Sequence, residues 1–220
     1  NWRCRHMESK NRVDENTLDI SLIHDFMDLI NDNEMFINRK DLKEKYNLIC
    51  TFKDRLFTAV DYLNEHSMPP TKELDFINYM VYADMLYEGI KCFYENLFHC
   101  NPDYVKTKKY FRWVKHHKKY YFTEETCPYD YVFFEYLRAM VFAHPYGVDK
   151  KRCKDRYFMM DGETHYCPWV IAKSIYNFDG IADSVGIRIY SNKHEDDIVD
   201  LTFSFNSLRS FIKKVYSGIN

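Results

Sequence analysis

The chain has 220 residues, a mass of 26.8 kDa and a formal net charge of −2 at pH 7. Its hydrophobic content of 46% is ample for the core of one domain, and only six glycines and six prolines argue against a fold built mainly of loops. No apolar run approaches the ~20 residues of a membrane-spanning helix and no signal-peptide pattern stands near the N-terminus, so we expect no membrane partner.

The N-terminal residues 1–6 are interpreted as a vector-derived leader, because the pair His6-Met7 is what a common cloning junction leaves behind. The native chain is therefore expected to begin at Met7. Residues 7–156 are predicted to form a helical domain, and residues 157–220 a C-terminal appendage that packs on it.

Five helical segments are predicted from apolar residues at helical spacing. Pro69 and Pro70 lack backbone N–H donors and separate the second segment from the third. Asn16 and Thr71 are the predicted caps of the first and third segments. The segments cover residues 16–30, 39–65 (one helix, or two with a break near Asn47), 72–98, 103–121 and 129–143.

The pattern changes after Pro145. Residues 185–191 and 197–205 alternate apolar and polar side chains on either side of the turn-like sequence NKHEDD, which predicts a β-hairpin. A short helix over residues 206–216 follows. The expected fold class is therefore mainly α: a helical bundle with a small C-terminal β-hairpin and a terminal helix.

Positive charge is concentrated in residues 106–156, where thirteen Lys and Arg side chains stand against six Asp and Glu side chains. A basic stripe attracts phosphates, and neighbouring aromatic rings can stack on unpaired bases. We therefore predict RNA binding here; a solvated basic face without a partner is the alternative. On the helix predicted for residues 103–121, one face would carry Lys108, Arg112, Lys115 and Lys119, and the further candidates are Lys150, Lys151 and Arg152.

An arginine and a histidine bracket the apolar run at the end of the fifth helix, in the sequence EYLRAMVFAHPYG. Six residues of α-helix turn through about 240°, so Arg138 and His144 would point to different sides of a continuous helix. Pro145 disfavours helical geometry at the residue before it. We therefore predict that His144 leaves the helix and can turn towards Arg138.

These two side-chain types suit RNA cleavage without a metal. Histidine can take the proton from a ribose 2′-hydroxyl or give one to the leaving oxygen, and arginine can hold the scissile phosphate. Glu135 is a candidate for orienting the Arg138 guanidinium, and Tyr146 for contacting the substrate. The structural alternative is an ion pair between Arg138 and Glu135, with His144 capping the helix.

An Arg-x5-His motif at the end of a helix, within a helical bundle, resembles the HEPN superfamily over about residues 16–152. The resemblance implies a metal-independent endoribonuclease in which Arg138 and His144 are catalytic and two copies of the chain form one cleft. It also implies a toxin or phage-defence role, with an antitoxin or other regulatory protein as a further partner. Active members often carry a polar residue after the arginine, where this chain has Ala139, and some HEPN-like domains only bind RNA or a partner protein.

Seven cysteines without a CxxC pair indicate reduced thiols in a cytoplasmic protein. The spacing of Cys153, His165 and Cys167 matches no zinc pattern, so neither a metal nor a cofactor is expected. Two hypotheses remain. The first is a HEPN-type endoribonuclease that cleaves single-stranded RNA, and the second is a non-catalytic HEPN-like module that binds RNA or a partner protein through the basic stripe.

Overall fold

The computed structural model describes residues 15–31, 38–116, 119–147, 164–172, 183–191 and 199–219. The expected leader and the predicted RNA-binding residues Lys150, Lys151 and Arg152 lie outside these ranges. The described α-helices are α1 (Ile20–Asn31), α2 (Lys40–Glu44), α3 (Tyr46–Glu65), α4 (Glu73–Phe93), α5 (Asp130–Arg138) and α6 (Phe205–Tyr216). π-helical turns extend α4 over Tyr94–Phe98 and α5 over Ala139–Ala143.

Four of the five predicted helical segments are confirmed, and the second of them is broken at Lys45 into α2 and α3. The two predicted caps are wrong. Asp19, not Asn16, precedes α1, and its carboxylate accepts the N–H of Ser21 at 2.9 Å. Lys72 precedes α4 and makes no capping hydrogen bond with its side chain. The predicted terminal helix is confirmed as α6.

The described strands are β1 (Lys115–His116), β2 (Lys119–Tyr120), β3 (His165–Ile171), β4 (Ser184–Ser191) and β5 (Val199–Ser204). They form one antiparallel sheet in the order β2-β1-β5-β4-β3. The predicted hairpin is confirmed as β4 and β5, with Ile187 opposite Leu201. A Cβ atom on Gly186 of β4 would lie 1.9 Å from the carbonyl oxygen of Leu201, so only glycine fits this close approach.

Helix α4 lies at the centre of the fold and packs against α3, α5, α6, β3 and the π-helical turn that follows α5. The inner face of the sheet, which includes Ile187 and Leu201, belongs to the same hydrophobic cluster as the helices, so helices and sheet share one core. Among the described residues, no helix combines the length and hydropathy that a bilayer crossing demands. The buried side chains of α4 are Phe76, Tyr79, Met80, Ala83, Leu86, Tyr87 and Ile90.

The helix predicted for residues 103–121 is wrong. Of the residues described in that range, only the 3₁₀ turn Asp103–Lys106 is helical, and the chain continues as a loop into β1 and β2. The buried carboxylate of Asp130 accepts hydrogen bonds of 2.8–3.1 Å from the three consecutive backbone N–H groups of residues 109–111. Because Asp130 engages the N–H groups of residues 109–111 and residues 115 and 116 pair with β5, these residues cannot form a helix.

Strand β3, which the sequence analysis did not predict, is an edge strand with two of its backbone N–H groups satisfied by other elements. The N–H of Cys167 donates to the carbonyl of Pro145 at 3.0 Å, and the N–H of Val170 donates to Glu73 Oε1 at 2.8 Å. Pro168 supplies no N–H at all. The edge is therefore protected, and the segment after His144 is fastened to the sheet.

Candidate functional site

Helix α5 connects the two regions that the sequence analysis singled out. At its first residue, Asp130 holds the loop of residues 107–114, which we call the basic loop. In its middle, the Tyr136 hydroxyl forms a buried hydrogen bond of 2.9 Å with Nδ1 of His165 on β3. At its last residue, Arg138 contacts α4. Contacts with three different elements thus fix the position of α5.

Arg138 belongs to an ion-pair network between α5 and α4. Its Nη1 atom lies 2.8 Å from Asp84 Oδ1 and 3.0 Å from Glu88 Oε1. Burial raises the pKa of Asp84 above its usual value, despite the opposing effect of the guanidinium. Burial alone would lower the pKa of Arg138, but the carboxylates of Asp84, Glu88 and Glu135 outweigh it, so this pKa is raised. Arg138 is therefore a cation whose charge is largely compensated.

Glu135, the predicted partner of Arg138, makes different hydrogen bonds. Its Oε1 atom accepts the hydroxyl of Tyr87 at 2.8 Å and the ammonium group of Lys91 at 2.9 Å. The side chains at positions 84, 87, 88 and 91 of α4 recur every three or four residues, so one face of α4 runs along α5. The two carboxylates that orient the guanidinium therefore come from α4, and Glu135 acts on it only over a longer distance.

The π-helical turn Ala139–Ala143 carries the chain from Arg138 to His144. The N–H of His144 donates to the carbonyl of Ala139 at 2.7 Å, five residues back, and its φ of −144° and ψ of 49° lie outside the helical region. The prediction that Pro145 removes His144 from the helix is confirmed. The imidazole is exposed, and π-helical turns of this kind are frequent at functional sites.

A cleft of about 890 Å³ opens beside the segment that follows His144. Its walls come from α4, the π-helical turn, β3 and β4, and most of its lining side chains are aromatic or apolar. Tyr146, a predicted substrate contact, lines the cleft and is 92% exposed. The lining residues are Glu73, Ile77, Val141, Pro145, Tyr146, Tyr166, Cys167, Pro168, Trp169, Val170 and Tyr190.

Cys167 contributes a thiol to this cleft, but not a reactive one. Burial raises its pKa to about 12, so the neutral thiol predominates at physiological pH. Its Sγ atom donates to the carbonyl of Trp169 at 3.4 Å. The cleft is therefore suited to reversible binding rather than to attack by a cysteine nucleophile.

The helical stripe predicted for four basic residues is replaced by the basic loop and two short strands. Lys108 and Arg112 are exposed on the loop, Lys115 is half-buried on β1, and the backbone of Lys119 belongs to β2. These residues do not share a helical face. They are brought to one region by the packing of the loop on α5 and by the pairing of β1 and β2.

Aromatic rings accompany the cations of the basic loop. The Lys108 ammonium lies 4.8 Å from the centre of the Tyr129 ring, and the Arg112 guanidinium lies 5.9 Å from that of Trp113. Both rings are about half exposed. Exposed cations interleaved with exposed rings are the combination that binds phosphates and unpaired bases together.

The basic loop and His144 lie at opposite ends of α5. Eight residues separate Asp130 from Arg138, which corresponds to a rise of about 12 Å, and the π-helical turn adds further length. The nearness of the basic segment to the Arg-x5-His motif in the sequence is therefore not nearness in space. One ligand touches both regions only if it extends along α5.

Sequence reasoning missed the residues that complete the surroundings of the motif. Asp84 and Glu88 are spaced by one helical turn, which is a common pattern on solvated helices and gave no signal of an arginine partner. Pro168 interrupts the strand pattern in the residues before Trp169, which disfavours a strand prediction there. The aromatic Trp169 and the β-branched Val170 and Ile171 were the available signal for a strand.

The described residues contain no group of three or more His, Cys, Asp and Glu side chains that could hold a metal ion. In the spacing weighed as a zinc pattern, His165 contacts Tyr136 and Cys167 contacts a backbone carbonyl, while Cys153 lies outside the described ranges. Comparison with protein-family models, with curated proteins and with solved structures finds no match. Function is therefore inferred from the geometry of the site itself.

Proposed function

We propose that this protein is a metal-independent endoribonuclease of the HEPN type that cleaves single-stranded RNA, with His144 and Arg138 as its catalytic residues. The observation that carries the proposal is the π-helical turn, which takes His144 out of the helix and leaves it exposed, directly before the residues Pro145 and Tyr146 that line an aromatic cleft. A toxin or phage-defence role fits a ribonuclease of this kind.

In the proposed reaction the ribose 2′-oxygen attacks the adjacent phosphorus, and the bond between phosphorus and the 5′-oxygen breaks. One histidine takes the 2′-hydroxyl proton, and a second acid gives a proton to the leaving oxygen, so the products carry a 2′,3′-cyclic phosphate and a 5′-hydroxyl. DNA lacks the attacking hydroxyl and is expected to resist cleavage.

Arg138 supplies hydrogen bonds to the phosphate in this proposal. Both of its ion pairs use Nη1, so the Nε and Nη2 donors lie outside these two contacts and suit a phosphate oxygen. Asp84 and Glu88 are positioning residues that hold the guanidinium in place. Lys91 of α4, which is paired with Glu135, adds a second cation at the contact between α4 and α5.

A homodimer completes the site in this proposal. Each chain contributes one motif histidine, whereas the reaction needs a base and an acid. A second copy supplies the other imidazole, as the resemblance to HEPN domains implies. An antitoxin or other regulatory protein would act by covering the cleft or by separating the two copies.

The second candidate function is RNA binding without cleavage, through the basic loop. It is favoured by the contacts of Lys108 with Tyr129 and of Arg112 with Trp113, on a surface that lies away from His144. It is also favoured by the compensation of the Arg138 charge by Asp84 and Glu88. This function requires neither the motif nor a second copy of the chain.

The test is incubation of the protein with a mixed single-stranded RNA pool in EDTA, beside His144→Ala and the matched control His24→Ala, an exposed histidine on α1. Parent and control are expected to release fragments ending in cyclic phosphate. His144→Ala is expected to be slower by at least ~10²-fold, the usual contribution of a positioned acid or base. Equal cleavage by His144→Ala overturns the proposed role of His144.

A different result supports the second candidate. If the parent protein cleaves nothing, its RNA binding is measured as a function of salt. Loss of that binding in a variant with Lys108, Lys109 and Arg112 replaced by Ala, with His144→Ala unaffected, assigns RNA binding to the basic loop.

A further inference from the structure

The cleft beside His144 presents aromatic rings together with one carboxylate. Trp169 and Tyr166 come from β3, Tyr190 from β4 and Tyr146 from the segment after the motif. Glu73 is the acidic residue among the lining side chains. The volume of the cleft, about 890 Å³, lies in the range of small-molecule sites. Rings of this kind stack on flat, unpaired bases, and each stacked base contributes substantially to binding.

Trp169 is held in place by a row of side chains across three strands. Trp169 lies opposite Arg188 in the register of β3 and β4, and Arg188 lies opposite Asp200 in the register of β4 and β5. The Arg188 guanidinium makes hydrogen bonds of 2.6 and 2.7 Å to the Asp200 carboxylate and sits 5.3 Å from the centre of the Trp169 ring. The indole is therefore fixed before a ligand arrives, which reduces the entropy cost of stacking on it.

The side chain of Glu73, like that of Trp169, is held in one orientation, here by a hydrogen bond to the sheet. Its Oε1 atom accepts the backbone N–H of Val170 at 2.8 Å, so the carboxylate is fastened to β3 at the wall of the cleft. A carboxylate accepts from the N–H donors of a base edge. Guanine presents two adjacent donors on its Watson–Crick edge, whereas uracil presents one donor between two carbonyl oxygens that repel a carboxylate.

The cleft and the Arg-x5-His motif share one segment of chain. Pro145 and Tyr146 follow His144 directly and line the cleft, and the Pro145 carbonyl accepts the N–H of Cys167 on β3. A base held in the cleft therefore contacts the residues that follow His144 directly in the chain, although His144 itself does not line the cleft. Proximity of this kind is what a base-specific cleavage site requires.

We propose that this cleft is the base-binding subsite of the enzyme and takes an unpaired guanine of the RNA strand, stacked on Trp169 and Tyr146 and hydrogen-bonded to Glu73. The inference rests on the proposed ribonuclease function for its place in the reaction. Binding of the base itself does not depend on cleavage, which allows the two to be tested separately.

The test uses the His144→Ala protein with Trp2 and Trp113 replaced by Phe, so that Trp169 is the remaining tryptophan of the three in the chain. Guanosine monophosphate and uridine monophosphate are titrated while indole fluorescence is recorded. Saturable quenching with at least ~5-fold tighter binding of the guanine nucleotide is expected, the low end of discrimination by one well-placed base contact.

Two variants identify the contacts, each compared with Glu95→Gln beyond the far end of α4. Glu73→Gln keeps an amide oxygen for Val170 but replaces the second acceptor by a donor, so the preference for guanine is expected to vanish. Tyr146→Ala is expected to weaken both nucleotides, and because Tyr146 is 92% exposed the fold should be unaffected. Circular dichroism verifies folding in each case.

The outcomes separate this inference from the proposed function. Guanine-selective quenching that depends on Glu73, in a protein whose parent cleaves no RNA, supports the subsite and refutes the ribonuclease. RNA cleavage with the same base preference in the parent, Glu73→Gln and Tyr146→Ala proteins overturns the subsite and leaves the ribonuclease intact. Absence of quenching by both nucleotides at millimolar concentration also overturns the subsite and leaves the cleft to a peptide segment of a partner protein.

Discussion

Replacement of Arg138 by Ala is the change that best separates a structural role of this residue from a catalytic one. The substitution removes both ion pairs that Nη1 makes with α4 and leaves the carboxylate of Asp84 without a cation. The Asp84 side chain is 16% exposed, so water replaces the lost partner only in part. We expect a loss of stability together with any loss of activity.

The magnitude follows from the exposure of the two partners. Breaking a fully buried pair typically costs 3–5 kcal/mol, and an exposed pair contributes less than about 1 kcal/mol. Arg138 is 29% exposed, which places its pair with Asp84 between these limits, so the free energy of unfolding should fall by about 2 kcal/mol. The pair with Glu88, whose side chain is 41% exposed, adds only a few tenths. For a chain of this length the midpoint of thermal unfolding should fall by about 4–8 °C.

The loss of stability caused by Arg138→Ala is expected to depend on pH. Burial already raises the pKa of Asp84, and loss of the guanidinium raises that pKa further. A carboxyl group with a raised pKa in the folded state favours folding below its unfolded pKa of ~3.9, and this contribution is lost as the pH rises through the folded pKa. The difference in the free energy of unfolding between the parent and Arg138→Ala should therefore be largest at pH 7 and should shrink as the pH falls towards 4.

The assay is urea unfolding followed by circular dichroism for the parent, Arg138→Ala, Asp84→Asn and the double variant. A coupling energy of about 1–2 kcal/mol is expected, with the double variant more stable than Arg138→Ala at pH 7. A coupling below about 0.3 kcal/mol would refute the reasoning that this pair stabilises the α4–α5 contact. RNA cleavage that stays absent when the double variant regains stability assigns Arg138 a role in the reaction itself.

Three further changes have expected outcomes of their own. Asp130→Ala leaves three backbone N–H groups without their acceptor and should lower the free energy of unfolding by about 2–3 kcal/mol in urea titrations; loss below 0.5 kcal/mol would contradict its anchoring role. Gly186→Ala forces a Cβ atom against a backbone carbonyl of β5 and should lower the free energy of unfolding by about 3 kcal/mol or more. In the control Gly218→Ala the new Cβ atom meets only ordinary contacts at 3.6 Å or beyond, so the loss should be less than about 1 kcal/mol. Because burial raises the pKa of Cys167 to about 12, its thiol should react with iodoacetamide at pH 8 roughly 10³-fold more slowly in the folded chain than in the unfolded chain. The exposed Cys100 should react readily in both states, and mass spectrometry of the labelled peptides measures the two rates.

The helices that could be predicted are those in which the spacing of apolar side chains along the sequence already shows which face is buried. In α3 and α4 apolar residues recur every three or four positions, and the pair Pro69-Pro70 separates them, so pattern and breaker agree. The hairpin of β4 and β5 was predictable for the same reason, because alternation along each strand matches its inner and outer faces. His144 was predictable as a non-helical residue because Pro145 acts on its immediate neighbour.

The elements that could not be predicted depend on partners distant in sequence. Residues 107–114 have helix-compatible spacing, but their backbone is fixed by a carboxylate at position 130 and by pairing with β5. Strand β3 depends on Glu73, almost 100 residues earlier, for one of its edge N–H groups. The partners of Arg138 lie on α4, 54 and 50 residues away, whereas within one turn of its own helix the nearest carboxylate is that of Glu135. Local patterns carry no information about such contacts.

The arrangement around Arg138 bears on what a single copy of the chain can do. Asp84 and Glu88 fix the guanidinium in one orientation, which favours directed hydrogen bonds to a phosphate. The same carboxylates cancel much of its charge and disfavour the approach of an anion. A single chain thus offers one oriented but compensated cation and one motif imidazole, whereas cleavage needs both a proton acceptor and a proton donor. A second copy would add an imidazole and further donors to these groups, so the proposed activity should depend on the dimer, and RNA binding by the basic loop should not.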